Sequence, residues 1–174
     1  MRFKLLDRIE KIEPGSRMTA VKQLRADEQY LKDHFPNFPV MPGVLMLEAM
    51  FQACRWLLLE SDGYDRAVVI LREARNVKFT GFVLPGQELE VSAVIQKDEG
   101  ATVRLKVTGT VNGSSAVSGT LILERFNLAD RFPELAPLDD HGRHELRKQI
   151  QELLPPKSGE VSNSEFLTES TTNS

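Results

Sequence analysis

Between residues 102 and 111 apolar and polar side chains alternate one by one. Val103, Leu105, Val107 and Val111 fall on one side, and Thr102, Arg104, Lys106, Thr108 and Thr110 on the other. That period of two marks a strand with one buried and one solvated face. Asn112-Gly113 follows, a two-residue hairpin signal. Val117, Gly119, Leu121 and Leu123 resume the alternation on a return strand. Residues 18–24, 77–83 and 89–96 also read as strands, the last two parted by the turn Pro85-Gly86. Residues 67–71 form a short apolar run rich in β-branched types, predicted as a buried strand. Residues 2–12 mix apolar and charged positions and end in the turn Glu13-Pro14-Gly15-Ser16.

One segment has a different period. From 44 to 59 the chain is Val, Leu, Met, Ala, Phe, Cys and Trp, broken only by Glu48, Gln52 and Arg55. Those three polar residues stand at i, i+4 and i+7 and form one stripe along an otherwise apolar helix. Such a helix is buried, and it is too short and too polar on that stripe to span a membrane. Ser61-Asp62-Gly63 closes it, with Gly63 suited to a C-terminal cap. Before it, Pro36, Pro39 and Pro42 fix φ at three points, so the helix cannot start much before Pro42. One buried helix and a run of antiparallel strands make the chain α+β.

Beyond residue 125 the pattern weakens. Residues 126–140 predict a loop or short helical turns, 142–154 an amphipathic helix carrying Leu146, Ile150, Leu153 and Leu154, and 155–174 a disordered polar tail. His141 and His144 stand at i, i+3 in a polar setting and read as solvated rather than as metal ligands.

Composition narrows the classes. With 174 residues and 41% hydrophobic content there is room for a domain with a true core. A net charge of −3 argues against a general nucleic-acid binder. Cys54 is the only cysteine and lies in the apolar helix, which leaves no disulfide framework or metal cluster to expect. The first twelve residues lack a signal-peptide core, so the expected compartment is the cytoplasm.

A carboxylate inside so apolar a helix needs a reason, because an unpaired buried charge costs several kcal/mol. Glu48 is either paired with Arg55 or Gln52 as a structural group, or functional. His34 alone is equally ambiguous. The string HFPNFPVMPGVLMLEAMFQ that holds both, from His34 to Gln52, resembles the active-site signature of the 3-hydroxyacyl-acyl carrier protein dehydratases of the FabZ type. The pattern HFPxxPVxPGVLxxEAxxQ is matched, and the likeness runs from about residue 5 to residue 123 through LLDRI, IEPGSRMTAVKQL and VKFTGFVLPGQEL. Two departures stand out: Asp33 stands where the family usually has glycine, and Glu73 where it often has glycine.

The resemblance implies a hot-dog fold over residues 1–125, a curved antiparallel sheet wrapped round the helix, with an extension at 126–154. It implies dehydration of a carrier-bound 3-hydroxyacyl thioester, with no cofactor and no metal. That reaction removes a proton beside a carbonyl and expels hydroxide from the next carbon. His34 suits the base, since imidazole titrates nearest working pH. Glu48 suits the acid if burial keeps it partly protonated. The Gly43 N–H, in the first helical turn, suits the oxyanion donor, and Gln52 belongs to the same substrate-binding group.

Fourteen positions separate His34 from Glu48, and the resemblance implies that they meet across a homodimer, often assembled as a trimer of dimers. It also implies an acyl carrier protein as partner, for which Arg72, Arg75 and Lys78 are the candidate docking cluster. The family's dehydratase-isomerases usually carry Asp at the helix position, so Glu48 favours dehydration alone. A hot-dog thioesterase and a non-catalytic acyl-thioester binder remain as alternatives.

Overall fold

The computed structural model describes residues 4–33 and 38–155. The strands are β1 (Arg8–Glu13), β2 (Arg17–Gln23), β3 (Val68–Phe79), β4 (Glu88–Asp98), β5 (Thr102–Val111) and β6 (Ser114–Phe126). The helices are α1 (Tyr30–Asp33), α2 (Gly43–Ser61) and α3 (Ala136–Gln151). The strands form one sheet in the order β1-β2-β4-β5-β6-β3, with every pairing antiparallel.

The alternation predicted for β5 holds. Val103, Leu105, Val107 and Val111 are buried and face α2 together with Leu89 and Val91 of β4 and Leu121 and Leu123 of β6. At Asn112-Gly113 both residues have positive φ, 51° and 77°, as the predicted two-residue turn requires. Gly109 falls in the buried row because nothing larger fits. A Cβ there would lie 2.6 Å from Val117 Cγ1 and 2.9 Å from Leu89 Cδ1.

Helix α2 lies along this face, burying Met46, Ala49, Met50, Ala53, Cys54, Leu57 and Leu58. Burial pushes the Cys54 thiol well above its ordinary range, so it is an inert packing group. The helix ends in a Schellman arrangement. Gly63 has φ 62°, its N–H donates to Glu60 O, and the Tyr64 N–H donates to Leu59 O. This long helix packed on a single antiparallel sheet is the hot-dog arrangement. The expectation of a buried helix is corrected at one end: Val44 is 71% exposed, because its side of the first turn is not covered by the described residues.

Three predicted elements are redrawn. The runs at 67–71 and 77–83 belong to one twelve-residue edge strand, β3, which pairs with β6 through two bulges and breaks off at Phe79. Its middle, residues 72–76, is exposed and largely polar, and shows no period of two in sequence. The 67–71 segment is only partly buried for the same reason. Residues 8–13 form the opposite edge strand, β1, where only Ile9 is fully buried. Helix α3 begins at Ala136, ahead of the predicted 142, since Pro137 is tolerated in a first turn. Its Asp139 is buried and accepts the N–H groups of Leu128 and Ala129, both at 2.9 Å. Leu146, Ile150 and Leu153 then join the main core. Between β6 and α3 the chain makes two short 3-10 turns, Leu128–Asp130 and Pro133–Leu135. Among the described residues no helix is long and apolar enough to cross a membrane. The polar tail expected at 155–174 lies, from 156 onward, outside the described residues.

Candidate active site

Two fixed points place the start of α2. The Met41 N–H donates to Val83 O at 3.0 Å, and Pro42 stands as N-cap with φ −56° and ψ 139°. Leu45 and Met46 donate back to Pro42 O, while the N–H groups of Gly43 and Val44 meet no acceptor among the described residues. Two free donors at the positive end of a nineteen-residue helix are an oxyanion-binding geometry. Gly43 leaves room for a neighbouring ring. A Cβ there would lie 3.0 Å from Cε1 of Phe79, whose ring covers the turn.

Glu48 lies on the outer face of α2, half-buried. Gln52 holds it: its Nε2 donates to Glu48 Oε1 at 2.9 Å, and its Oε1 accepts the Leu5 N–H at 3.0 Å. The amide is thus tied to the backbone ahead of β1 and orients the carboxylate by a one-turn reach. Arg55 continues the stripe with its guanidinium 5.7 Å from the Trp56 ring centroid. Burial pushes the Arg55 pKa down, and the charge of Glu48 partly offsets this.

The stripe opens into a cleft of about 420 Å³ between α2 and α3, whose lining includes Glu48, Gln52, Arg55, His141, Glu145 and Leu146. His141 and Glu145 stand at i, i+4 on α3. That spacing was available in the sequence, but nothing there says which helix the pair faces. His141 and His144 are both exposed.

His34 lies outside the described residues, as do Phe35, Pro36 and Asn37, so its position relative to Glu48 is not described. The approach to it is tightly held. Lys22 is fully buried at the end of β2 and pairs with Glu28 at 2.5 Å and Asp7 at 3.5 Å. Asp7 also accepts the Gln23 N–H and pairs with Arg25. Together these contacts clamp the turn that leads into α1. Asp33, one of the two departures, is the last residue of α1.

The docking candidates lie on the exposed edge strand β3. Arg75 makes a two-pronged bond to Glu73, 2.7 Å on each arm, and Arg72 pairs with Glu124 at 3.2 Å. Lys78 has no carboxylate in ion-pair reach among the described residues. Glu73, the second departure, sits at the first bulge of β3 and neutralises a neighbour.

Comparison with known proteins agrees with this geometry. The FabA-like domain matches residues 1–120. The 3-hydroxyacyl-[acyl-carrier-protein] dehydratase FabZ of Anaeromyxobacter sp. (strain Fw109-5) is 38% identical over 136 residues, covering 76% of this chain and 84% of the relative. Its counterpart from Clostridium acetobutylicum is 39% identical over 117 residues, covering 67% and 83%. This chain belongs to the FabZ-type dehydratase family. Solved structures agree on the hot-dog fold. The dehydratase heterocomplex ApeI:P from Xenorhabdus doucetiae superposes with a TM-score of 0.61 at 16% identity, over 76% of this chain and 90% of that one. The smu.793 protein of Streptococcus mutans, bound to acetyl CoA, gives 0.57 at 13% identity, over 73% and 93%. In this FabZ-type chain the FabA-like match ends at residue 120, so helix α3 and the cleft wall it builds lie beyond it.

Proposed function

We propose that this chain is a hydro-lyase of fatty-acid biosynthesis that converts (3R)-hydroxyacyl-[acyl-carrier-protein] to the trans-2-enoyl thioester and water. The observation that carries this reading is a carboxylate held at a set orientation by Gln52, on the same helix as two free N–H donors, in a chain of the FabZ family. His34 takes the C2 proton. The thioester oxygen gains negative charge against the Gly43 N–H. The C3–O bond then breaks as Glu48 delivers a proton to the departing oxygen, which leaves as water. Gln52 serves as a positioning residue for Glu48.

The proposal includes a homodimer, or a trimer of dimers, with His34 of one subunit facing Glu48 of the other. Two features support it. The outer edge of β3 has no strand partner among the described residues, and a row of ladder groups at a sheet edge is a template for a second strand. Phe38, Val44, Phe79, Phe82 and Leu84 form an exposed apolar patch around the start of α2, where Phe38 and Phe82 meet edge-on at 5.6 Å. Cytoplasmic placement goes with a carrier-bound thioester substrate and belongs to the same proposal.

The test is an absorbance assay for the conjugated enoyl thioester on 3-hydroxyacyl carriers of several chain lengths. Growth of enoyl absorbance without release of free thiol is expected. Thiol release without enoyl would instead mark a thioesterase, and binding without either product a non-catalytic binder.

Carrier docking is proposed at the β3 edge through Arg72, Arg75 and Lys78. Because Arg72 and Arg75 already have acidic neighbours, Lys78 supplies most of the free charge. Reversing Arg72 and Lys78 to Glu should raise KM for the carrier-bound substrate and leave a small thioester analogue unaffected. Equal effects on both substrates would remove the docking role.

A further inference from the structure

Arg55 is the least explained charge in the cleft. It is half-buried and stacked against Trp56, and no carboxylate stands within ion-pair reach of it among the described residues. The other charges of the cleft are already engaged. Lys4 pairs with Glu152, Glu145 with Lys148, and Glu48 accepts from Gln52. A guanidinium stays cationic at any working pH, and its planar fork matches a carboxylate through two parallel bonds. Cleft charges of opposite sign sit at separate places: Glu48 at one point of the stripe, and Arg55 seven residues on, roughly 10 Å along the helix axis. The walls of the cleft include Phe51 and Trp56 from α2, Leu6 ahead of β1, Leu146 from α3 and Leu153 just past it. A cleft of mixed lining, apolar along part of its wall, that holds both the reacting carboxylate and a guanidinium with no ion-pair partner among the described residues fits a chain with an acidic end.

The geometry points to the α2–α3 cleft as the seat of the substrate's tail, with Arg55 selecting acyl thioesters that end in a carboxylate. This deepens the dehydratase reading and rests on it. The assignment rests on two features. Arg55 carries the charge, and α3 closes the cleft from beyond the FabA-like match. The substrate class is a medium-length 3-hydroxyacyl thioester derived from a dicarboxylic acid. Reaction at Glu48 leaves the tail carboxylate unchanged, so its recognition acts on specificity rather than on the chemical step.

Two measurements on the full chain test this. The first compares kcat/KM for two 3-hydroxyacyl carriers of equal length, one ending in methyl and one in carboxylate. The second compares calorimetric Kd values for the matching saturated acyl pantetheines, which cannot dehydrate. Wild type should favour the carboxylate tail about tenfold or more in both, as expected for a charge-assisted pair in a partly desolvated site. Arg55→Met should bring both ratios to one or below. Arg55→Lys, which keeps the charge and the stem but loses the fork, should fall between and guards against a folding defect in the first variant. A wild-type ratio near one, a ratio that survives Arg55→Met, or no binding of either pantetheine overturns the assignment. A binding preference that stands while neither carrier is dehydrated overturns the proposed reaction and leaves tail recognition intact.

Discussion

Glu48→Gln should fold, assemble and bind ligand normally and lose ~10²–10⁴-fold in turnover, the usual contribution of one general acid or base. The substitution is nearly isosteric and keeps an Oε1 to accept the Gln52 amide, so only the ionisable proton is removed. His34→Ala should lose activity on the same scale. Mixing the two inactive proteins distinguishes a site shared between subunits from one within a chain. A mixed dimer has one site with both residues intact and one with neither, so random exchange at equal amounts should restore roughly a quarter of wild-type activity if the site spans an isologous interface. No recovery after verified exchange places both residues in one chain's site. Full activity in Glu48→Gln alone would make that carboxylate structural.

Stopping the chain at residue 135 should cost most of its stability. Helix α3 buries Leu146, Ile150 and, just past its end, Leu153 against the main core. At ~1.5–3 kcal/mol for each fully buried side chain, their loss is on the order of 5 kcal/mol or more. That is comparable with the whole stability of many domains. The Asp139 carboxylate that holds the 3-10 turn at Leu128 would go as well. A denaturant titration should show a much lower midpoint or no cooperative transition. Stopping after Leu154 should leave turnover and oligomer size unchanged, so the pair of truncations separates the helix from the tail. Equal midpoints for the two truncations would show that α3 is packed too loosely to matter.

The β5–β6 hairpin and α2 were legible in the sequence because local pattern and tertiary placement agree there. Strand β5 has one face on the core and one in solvent, and α2 has apolar residues wherever it meets the sheet. The edge strands were harder. In β1 and in the middle of β3 one side has no neighbouring strand among the described residues and most side chains are exposed, so residues such as Lys11, Arg72 and Asn76 give no period. Their strand geometry comes from partners distant in sequence, β2 and β6.

The site divides in the same way. Gly43, Glu48 and Gln52 were singled out because they share one helix and one motif. The bond from Leu5 to Gln52 and the placement of His141 and Glu145 in one cleft with Arg55 depend on which elements pack together, which a single sequence does not specify. The Arg72–Arg75–Lys78 cluster looked more basic in sequence than it is in space, since Glu73 and Glu124 lie beside two of its members.

The Ile9 N–H donates to Leu153 O at 2.6 Å, joining β1 to the segment just past α3. One of the sheet's first strands therefore meets its outer partner only after nearly the entire described chain has been made. On the ribosome, β1 to β6 can pair while the apolar flank that α3 will cover is still open to solvent. Such a long-range closure is slow to form, and the exposed surface is sticky until it does. A pause in synthesis anywhere between residues 126 and 153 would prolong that exposure, so the yield of native protein should depend on translation speed through this stretch more than through the strands before it.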